Sequence, residues 1–378
     1  KKQTAYMAPT EILASQHYMT IRTLLRSNAV ALLTSSRSEV NGAPCSRAEL
    51  QRQIAGNDID LVIGTHALIQ EDVRFLDLAF AIVDEQHRFG VEQRKKLRAM
   101  SGNPETLPHL LSMTATPIPR TLALTIFGDL DLSILDEKPQ NRTPIQTRRA
   151  SLTNLESVFS HIQSEVQSGH QAFVVCPLIQ ESDILPRSSA ESVYAEWKQR
   201  MPNIRMELLH GKMKTADKES TMQQFYGHNI DVLIATAVIE VGVDVPNATM
   251  MVILGAERFG LAQLHQFRGR VGRAEHASYC YVIPDDDNSG RERIDAFVAS
   301  NDGFQLAEFD LQSRGPGEVY GRRQSGIPNF NVATLQDAHM IQRAQQLTRN
   351  ILERDSTLTT FPILQQRVHQ FLEQLHLE

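Results

Sequence analysis

Four short runs concentrate residue types suited to phosphoryl chemistry. In Ile82-Val83-Asp84-Glu85-Gln86-His87, two adjacent carboxylates follow an apolar run. A buried strand stopping there would present them at its carboxyl end, where open α/β sheets bind ligands. Asp84 suits Mg2+, a hard cation that takes carboxylate and water oxygens beside nucleotide phosphates. Glu85 suits a general base that polarises an attacking water. An isolated Asp-Glu pair is most often a solvated turn, so its weight comes from its companions.

The second run is Ser112-Met113-Thr114-Ala115-Thr116-Pro117, again after an apolar stretch. Small hydroxyl residues at a strand end can change hydrogen-bond partners at little steric cost, which suits Ser112, Thr114 and Thr116 to a relay. The third, Gln263 to Arg273, carries Arg268, Arg270 and Arg273 within six positions. Arginine forks match phosphate oxygens and stabilise charge in phosphoryl transfer. The fourth, Ala235 to Pro246, holds Gly242, which permits close backbone approach, and Asp244, an acceptor for a ribose hydroxyl or a partner for an arginine.

These residues need strand ends to sit on, and the hydrophobic pattern supplies them. Strands are predicted at Val30–Thr34, Ile59–Ile63, Ala79–Val83 and His109–Met113, then at Ala172–Pro177, Met206–His210, Val232–Ala235, Met250–Leu254 and Tyr279–Ile283. Amphipathic segments such as Glu11–Arg26 and Ala216–Tyr226 lie between them. Strand–helix alternation of this kind predicts parallel sheets with helices on both faces. Continuous apolar strands such as Phe80-Ala81-Ile82-Val83 fit burial on both faces. A polar, two-proline stretch from Glu137 to Pro144 separates two similar halves, and Pro284 to Gly290 is a turn-rich linker into a mostly helical remainder. The predicted divisions are 1–140, 141–288 and 289–378. No short repeat is evident.

Composition excludes several classes. The chain has 378 residues, 41% of them hydrophobic, enough for two or three globular domains. No apolar run reaches the roughly 20 residues that span a bilayer, so no membrane partner is expected. Three widely separated cysteines give no CxxC pair, hence no zinc or disulfide framework. A reduced, cytoplasmic compartment is expected. The net charge of −6 is unlike a basic nucleic-acid binder, but phosphate contacts depend on where the cations sit.

In order, the four runs resemble motifs II, III, VI and V of superfamily 2 helicases, with Ala8-Pro9-Thr10-Glu11 similar to motif Ia and Gly64-Thr65-His66 to the next DNA-facing loop. Val83 to Val91 with Gln93-Arg94, Thr114 to Leu122 and Glu257 to Gln266 further resemble the RecG family. So do Asn301 to Phe304, Asp310 to Glu318 and Gly321-Arg322-Arg323-Gln324-Ser325-Gly326, which resemble the TRG motif shared with the Mfd family. Gln86 and the Gly326 to Phe330 stretch favour RecG over Mfd. The likeness covers nearly all the chain to about residue 355.

The resemblance implies an α/β fold of two RecA-like parallel-sheet lobes followed by a TRG helical hairpin. It implies an ATP-dependent DNA helicase with ATP and Mg2+ as cofactors and Asp84, Glu85, Arg270 and Arg273 as catalytic residues. His87, Gln266, Gly242 and Asp244 would join them around the nucleotide. Ser112, Thr114, Thr116, Arg314, Arg323 and Gln324 would couple it to movement. Pro9, Thr10, Gly64, Thr65, His66 and Thr236 would face DNA. Branched double-stranded DNA is the implied partner of a bacterial, monomeric enzyme that also contacts a single-stranded DNA-binding protein. An Mfd-like translocase and a non-catalytic binding module are the competing expectations.

The phosphate-binding G-x-x-x-x-G-K-[ST] run is absent from these 378 residues; Gly211-Lys212 is followed by Met213. In the family that run lies just before the strand-like Thr4-Ala5-Tyr6-Met7, and the sequence has no initiating Met. The expectation is a piece of a longer motor that does not hydrolyse ATP by itself.

Overall fold

The computed structural model describes residues 2–70, 72–85, 108–115, 131, 133–135, 137, 143–177, 189–237, 245–273, 276–286, 290–314 and 338–375. The chain divides into two compact units, Lys1–Pro117 with Pro139–Gly303, and Ile118–Lys138 with Phe304–Glu378. The first unit contains both sheets.

The first sheet has the order β4-β3-β2-β5-β1-β6-β7. Its strands are β1 (Gln3–Met7), β2 (Val30–Leu33), β3 (Ser38–Val40), β4 (Ala43–Pro44), β5 (Leu61–Gly64), β6 (Leu78–Val83) and β7 (His109–Ser112). The pairs β2–β5, β5–β1, β1–β6 and β6–β7 are parallel. Strands β2 and β5 are fully buried. The short antiparallel hairpin β3–β4 was not predicted. Its turn is Asn41-Gly42, both with positive φ (48° and 89°), the two-residue geometry that matches strand twist. Helix α1 (Glu11–Leu24) starts at Thr10, whose hydroxyl accepts the Leu13 N–H. It ends two residues earlier than predicted. Helix α2 (Arg47–Ala55) is capped by Ser46, with Glu49 three residues on.

Two expectations need correction. The strand predicted at Ile59–Ile63 runs instead over Leu61–Gly64. Ile59 precedes it because its carbonyl is taken by the Gln3 side chain at 3.3 Å rather than by a neighbouring strand. Strand β6 is not buried on both faces: Ala81 and Val83 are buried but Phe80 and Ile82 only partly. Helices α1 and α2 pack chiefly over β2, β3 and β5.

The second sheet has the order β10-β11-β9-β12-β13-β8, all parallel. It comprises β8 (Gln146–Arg149), β9 (Gln171–Val175), β10 (Met206–Leu209), β11 (Val232–Ala235), β12 (Ala248–Leu254) and β13 (Tyr279–Ile283). Strands β9, β11 and β12 are buried throughout, in keeping with their largely apolar content. Around them pack α3 (Leu155–Gln167), α4 (Ala190–Arg200), α5 (Thr215–Tyr226), α6 (Leu261–Arg268) and α7 (Arg291–Ala299). Trp197 of α4 is 1% exposed and meets Phe159 of α3 edge to face at 4.9 Å.

The second unit contributes three helices among the described residues: α8 (Gly303–Arg314), α9 (Ala338–Arg354) and α10 (Pro362–Leu375). The turn before α10 is built on Asp355, whose carboxylate accepts from the backbone N–H and hydroxyl of Thr360 and the hydroxyl of Thr357. Those hydrogen bonds hold its pKa far below the usual carboxylate range. Among the described residues no helix is long and apolar enough to cross a membrane.

Candidate active site

Strand β6 delivers Asp84 and Glu85 at its carboxyl end. The Asp84 N–H continues the ladder to the Met7 carbonyl at 2.9 Å. Both Asp84 oxygens are engaged: Oδ1 accepts the Glu85 N–H at 2.9 Å, and Oδ2 lies 3.1 Å from His17 Nε2 on α1. Glu85 turns sharply, with φ 51°, and is 5% exposed. A non-glycine residue held there costs of order 1 kcal/mol or more and is found mainly where the surroundings enforce it. The enforcement is visible across the sheet. Strand β7 pairs with β6 so that Ser112 stands beside Val83, the Met113 N–H reaches the Val83 carbonyl at 2.8 Å, and the Ala115 N–H reaches Glu85 Oε2 at 3.4 Å. Ser112 and Thr114 therefore lie on the segment bonded to the Glu85 carboxylate.

The donor set fits Mg2+. One solvent-reachable carboxylate with a second beside it is what that ion uses when phosphates and waters complete its shell. No group of three or more His, Cys, Asp or Glu that could hold a metal alone occurs among the described residues.

The arginine run follows α6, whose Leu261, Leu264 and Phe267 are buried. Gln266 is also buried, at 7% exposure. Arg268 turns into the core of its own lobe. It is 2% exposed, stacks on Phe297 at 4.2 Å, and donates to the Phe297 carbonyl at 3.0 Å and Thr147 Oγ1 at 3.2 Å. Burial lowers its pKa to about 10. Gly272 then takes φ 72°, where an added Cβ would stand 2.8 Å from Ile145 Cγ1. Arg270 and Arg273 reach a cleft of about 570 Å³, where Pro246 joins them on one side and Leu13, Gln16 and His17 of α1 line the other. Arg270 is 8% exposed and Arg273 is exposed.

The expected DNA-facing residues stand at strand ends. Pro9 and Thr10 link β1 to α1. Gly64 ends β5, where an added Cβ would lie 2.1 Å from the Leu33 carbonyl oxygen. Thr65 caps the turn His66–Ile69; it is buried while His66 is exposed. Thr236 follows β11 and is buried. Arg314 closes α8. His87, Thr116, Gly242, Asp244, Arg323 and Gln324 lie outside the described residues. His17 and Gln16 were missed by the sequence reading. The available signal was a polar pair two helical turns after the Thr10 cap.

Comparison with known proteins gives the family of the chain. Residues 1–125 match the model of the DEAD/DEAH box helicase domain, 153–275 the helicase conserved C-terminal domain, and 300–374 the C-terminal part of domain 3 of the ATP-dependent DNA helicase RecG. The RecG of Bacillus subtilis is 45% identical over 366 residues, 94% of this chain and 51% of that protein. That of Pasteurella multocida is 44% identical over 373 residues, 98% and 53% respectively. A solved structure of RecG bound to a three-way DNA junction superposes with TM-score 0.70 at 39% identity, covering 91% of this chain and 43% of that one. Helicase MrfA bound to DNA and AMPPNP shares the fold, with TM-score 0.57 at 14% identity over 79% and 44% of the two chains.

Two tandem parallel-sheet lobes with an Asp-Glu pair ending one strand and a Gly/Arg run in the second lobe define a superfamily 2 helicase core. Within that class the chain belongs to the RecG family. It spans about half the length of the curated relatives it matches.

Proposed function

We propose that the whole protein containing these residues is an ATP-driven double-stranded DNA translocase acting on branched DNA, such as stalled forks and Holliday junctions, in recombination and repair. The observation that carries the motor part of this reading is the bond between the Ala115 N–H and Glu85. It makes the hydrolytic carboxylate and the Ser112–Ala115 segment one hydrogen-bonded unit, so a change at one is felt at the other.

In this mechanism Asp84 would hold Mg2+ beside the nucleotide phosphates, and a bound nucleotide would supply the phosphoanhydride whose cleavage powers the motor. Glu85 orients the attacking water and takes its proton. Arg270 and Arg273 come from the second lobe and neutralise charge developing on the transferred phosphoryl group, which requires the cleft to close. Gln266 joins the arginines around the nucleotide, while Ser112 and Thr114 pass the rearrangement towards Thr10, Thr65, His66 and Thr236 at the DNA-facing strand ends. The region from Arg314 to Gln324 converts lobe movement into progress along duplex. The solved RecG relative is bound to a three-way DNA junction and is 39% identical to this chain, which supports branched DNA as the substrate.

The test is ATP hydrolysis by the full-length protein with forked DNA against linear duplex. Glu85→Gln is expected to reduce the fork-stimulated rate by about 10² to 10⁴, the range for loss of a general base. Equal stimulation by both DNAs would replace the branch-specific reading with a plain duplex translocase. A Glu85→Gln protein hydrolysing at the wild-type rate would overturn the assignment of the site.

A further inference from the structure

Helix α1 touches three features that the motor must keep in step. Its N-cap Thr10 belongs to the segment expected to face DNA. Two turns on, His17 Nε2 lies 3.1 Å from Asp84 Oδ2. Beside it, Gln16 donates to the hydroxyl of Tyr226, the last residue of α5 in the second lobe, at 2.5 Å. Seven residues of helix span about 10 Å and bring Thr10 and His17 back to one face. The helix is fixed to its own lobe by buried Ala14 and Tyr18, and Tyr18 accepts the Gly42 N–H at 2.6 Å. A displacement at its N-terminus therefore arrives at His17 with little loss.

The contact to Asp84 is directional. A carboxylate has only acceptors to offer, so Nε2 carries the hydrogen. The imidazole is steadied by Tyr6, whose ring lies 4.8 Å away centroid to centroid and whose hydroxyl is 3.3 Å from the same nitrogen. With the hydrogen on Nε2, the Tyr6 hydroxyl can only accept a share of it through its oxygen. Burial does not force this pairing, because the His17 and Asp84 side chains are 30% and 17% exposed and water could serve either. With Oδ1 taken by the Glu85 N–H, the bond from His17 fixes the remaining rotation of the carboxylate and the direction of its free lone pairs.

We infer that His17 is a positioning residue for Asp84, through which α1 ties DNA engagement at Thr10 and lobe closure at Tyr226 to the metal-holding carboxylate. The inference rests on the reading of Asp84 given under Proposed function. Its test uses full-length His17→Ala and His17→Gln. Mn2+ binding is followed directly by electron paramagnetic resonance, and ATP hydrolysis is titrated with Mg2+ with and without forked DNA. His17→Ala is expected to weaken Mn2+ binding and raise half-saturating Mg2+ roughly tenfold, the size of one charge-assisted hydrogen bond, and to lower stimulation by DNA. His17→Gln, whose amide can donate to the same oxygen, is expected to stay within about threefold of wild type. A purely structural role would lower the melting temperature of both variants and leave metal affinity unchanged. Wild-type Mn2+ and Mg2+ half-saturation in a folded His17→Ala protein overturns the inference. Absence of hydrolysis in wild type would overturn the motor reading alone, because the Mn2+ titration still decides the role of His17.

Discussion

The two lobes start from one device and finish it differently. In the first, Gln3 opens the inner strand β1, and its amide donates to the carbonyls of Ile54, at the end of α2, and Ile59. In the second, Gln171 opens β9 and donates to those of Phe225, at the end of α5, and Ile230. The chain between those carbonyls is alike: Gly56-Asn57-Asp58-Ile59-Asp60 and Gly227-His228-Asn229-Ile230-Asp231, with Asn57 and His228 both at positive φ (63° and 59°). Asp60 accepts the Ala29 N–H and Asp231 the Arg205 N–H. The lobes part company on the other oxygen. Gln3 Oε1 accepts two backbone N–H groups, from Leu76 and Asp77, whereas Asn247 Nδ2 supplies Gln171 Oε1 at 3.3 Å. The first strap is wholly main chain; the second passes through a side chain that water can replace.

That contrast sets the order of expected effects. Gln3→Ala removes four hydrogen bonds to main-chain groups and is expected to cost about 4 kcal/mol, against about 2 kcal/mol for Gln171→Ala, which removes two. Chemical denaturation of each variant measures both, and equal losses would show that the Asn247 route is as tight as the main-chain one. Next come Gly64 and its counterpart Ala235, each the last residue of its strand. Gly64→Ala drives a Cβ against the Leu33 carbonyl oxygen and is expected to cost about 3 kcal/mol. Ala235→Gly only loosens the backbone, at about 1 kcal/mol. Melting temperatures of the pair would break the comparison if Gly64→Ala proved the milder.

The smallest effect concerns pH and belongs to the second lobe. His161 accepts or donates at the Tyr281 hydroxyl at 2.9 Å, and burial first, then nearby Arg148, lowers its pKa below 6.5 against the pull of Glu165. The unfolded chain therefore binds a proton more readily there than the folded one. The contribution is fully present above pH 6.5 and is lost as pH falls from 6.5 through the folded value. His161→Gln is expected to flatten the fall in stability between pH 6.5 and 5, measured by thermal melts. An unchanged slope would point to another group.

The outer edges of the two sheets differ too. Strand β13 is flanked by β8 and buried from Cys280 onward, while β7 is the edge strand among the described residues and leaves Leu111 43% exposed. Strand β8 has no counterpart beside β7 among the described residues, and an apolar strand is sheltered only when both neighbours are present.

Much of this was legible in the residues. Apolar runs gave Val232–Ala235 and Tyr279–Ile283 to the residue, because a strand buried on both faces must be continuously apolar. The Asn41-Gly42 hairpin was equally legible and overlooked, as was the kinship of the two Gly-x-x-Ile-Asp segments, which is too short to stand out until the folds are laid side by side. The Asp-Glu pair, the Ser/Thr run and the Gly/Arg run declared their chemistry by residue type and order.

Tertiary structure decided the rest, since direction and partner are long-range properties. Three arginines within six positions read alike along the chain, yet Arg268 turns into the core onto Phe297 while Arg270 and Arg273 reach the cleft. Glu85 meets the Ala115 N–H only because β7 pairs with β6 in one register. His17 meets Asp84 across 67 residues of sequence because β1 lies beside β6 and α1 returns over the sheet. Local chemistry and periodicity are written in the sequence, but which side chains converge depends on strand register and helix packing, and these are set only when the whole sheet assembles.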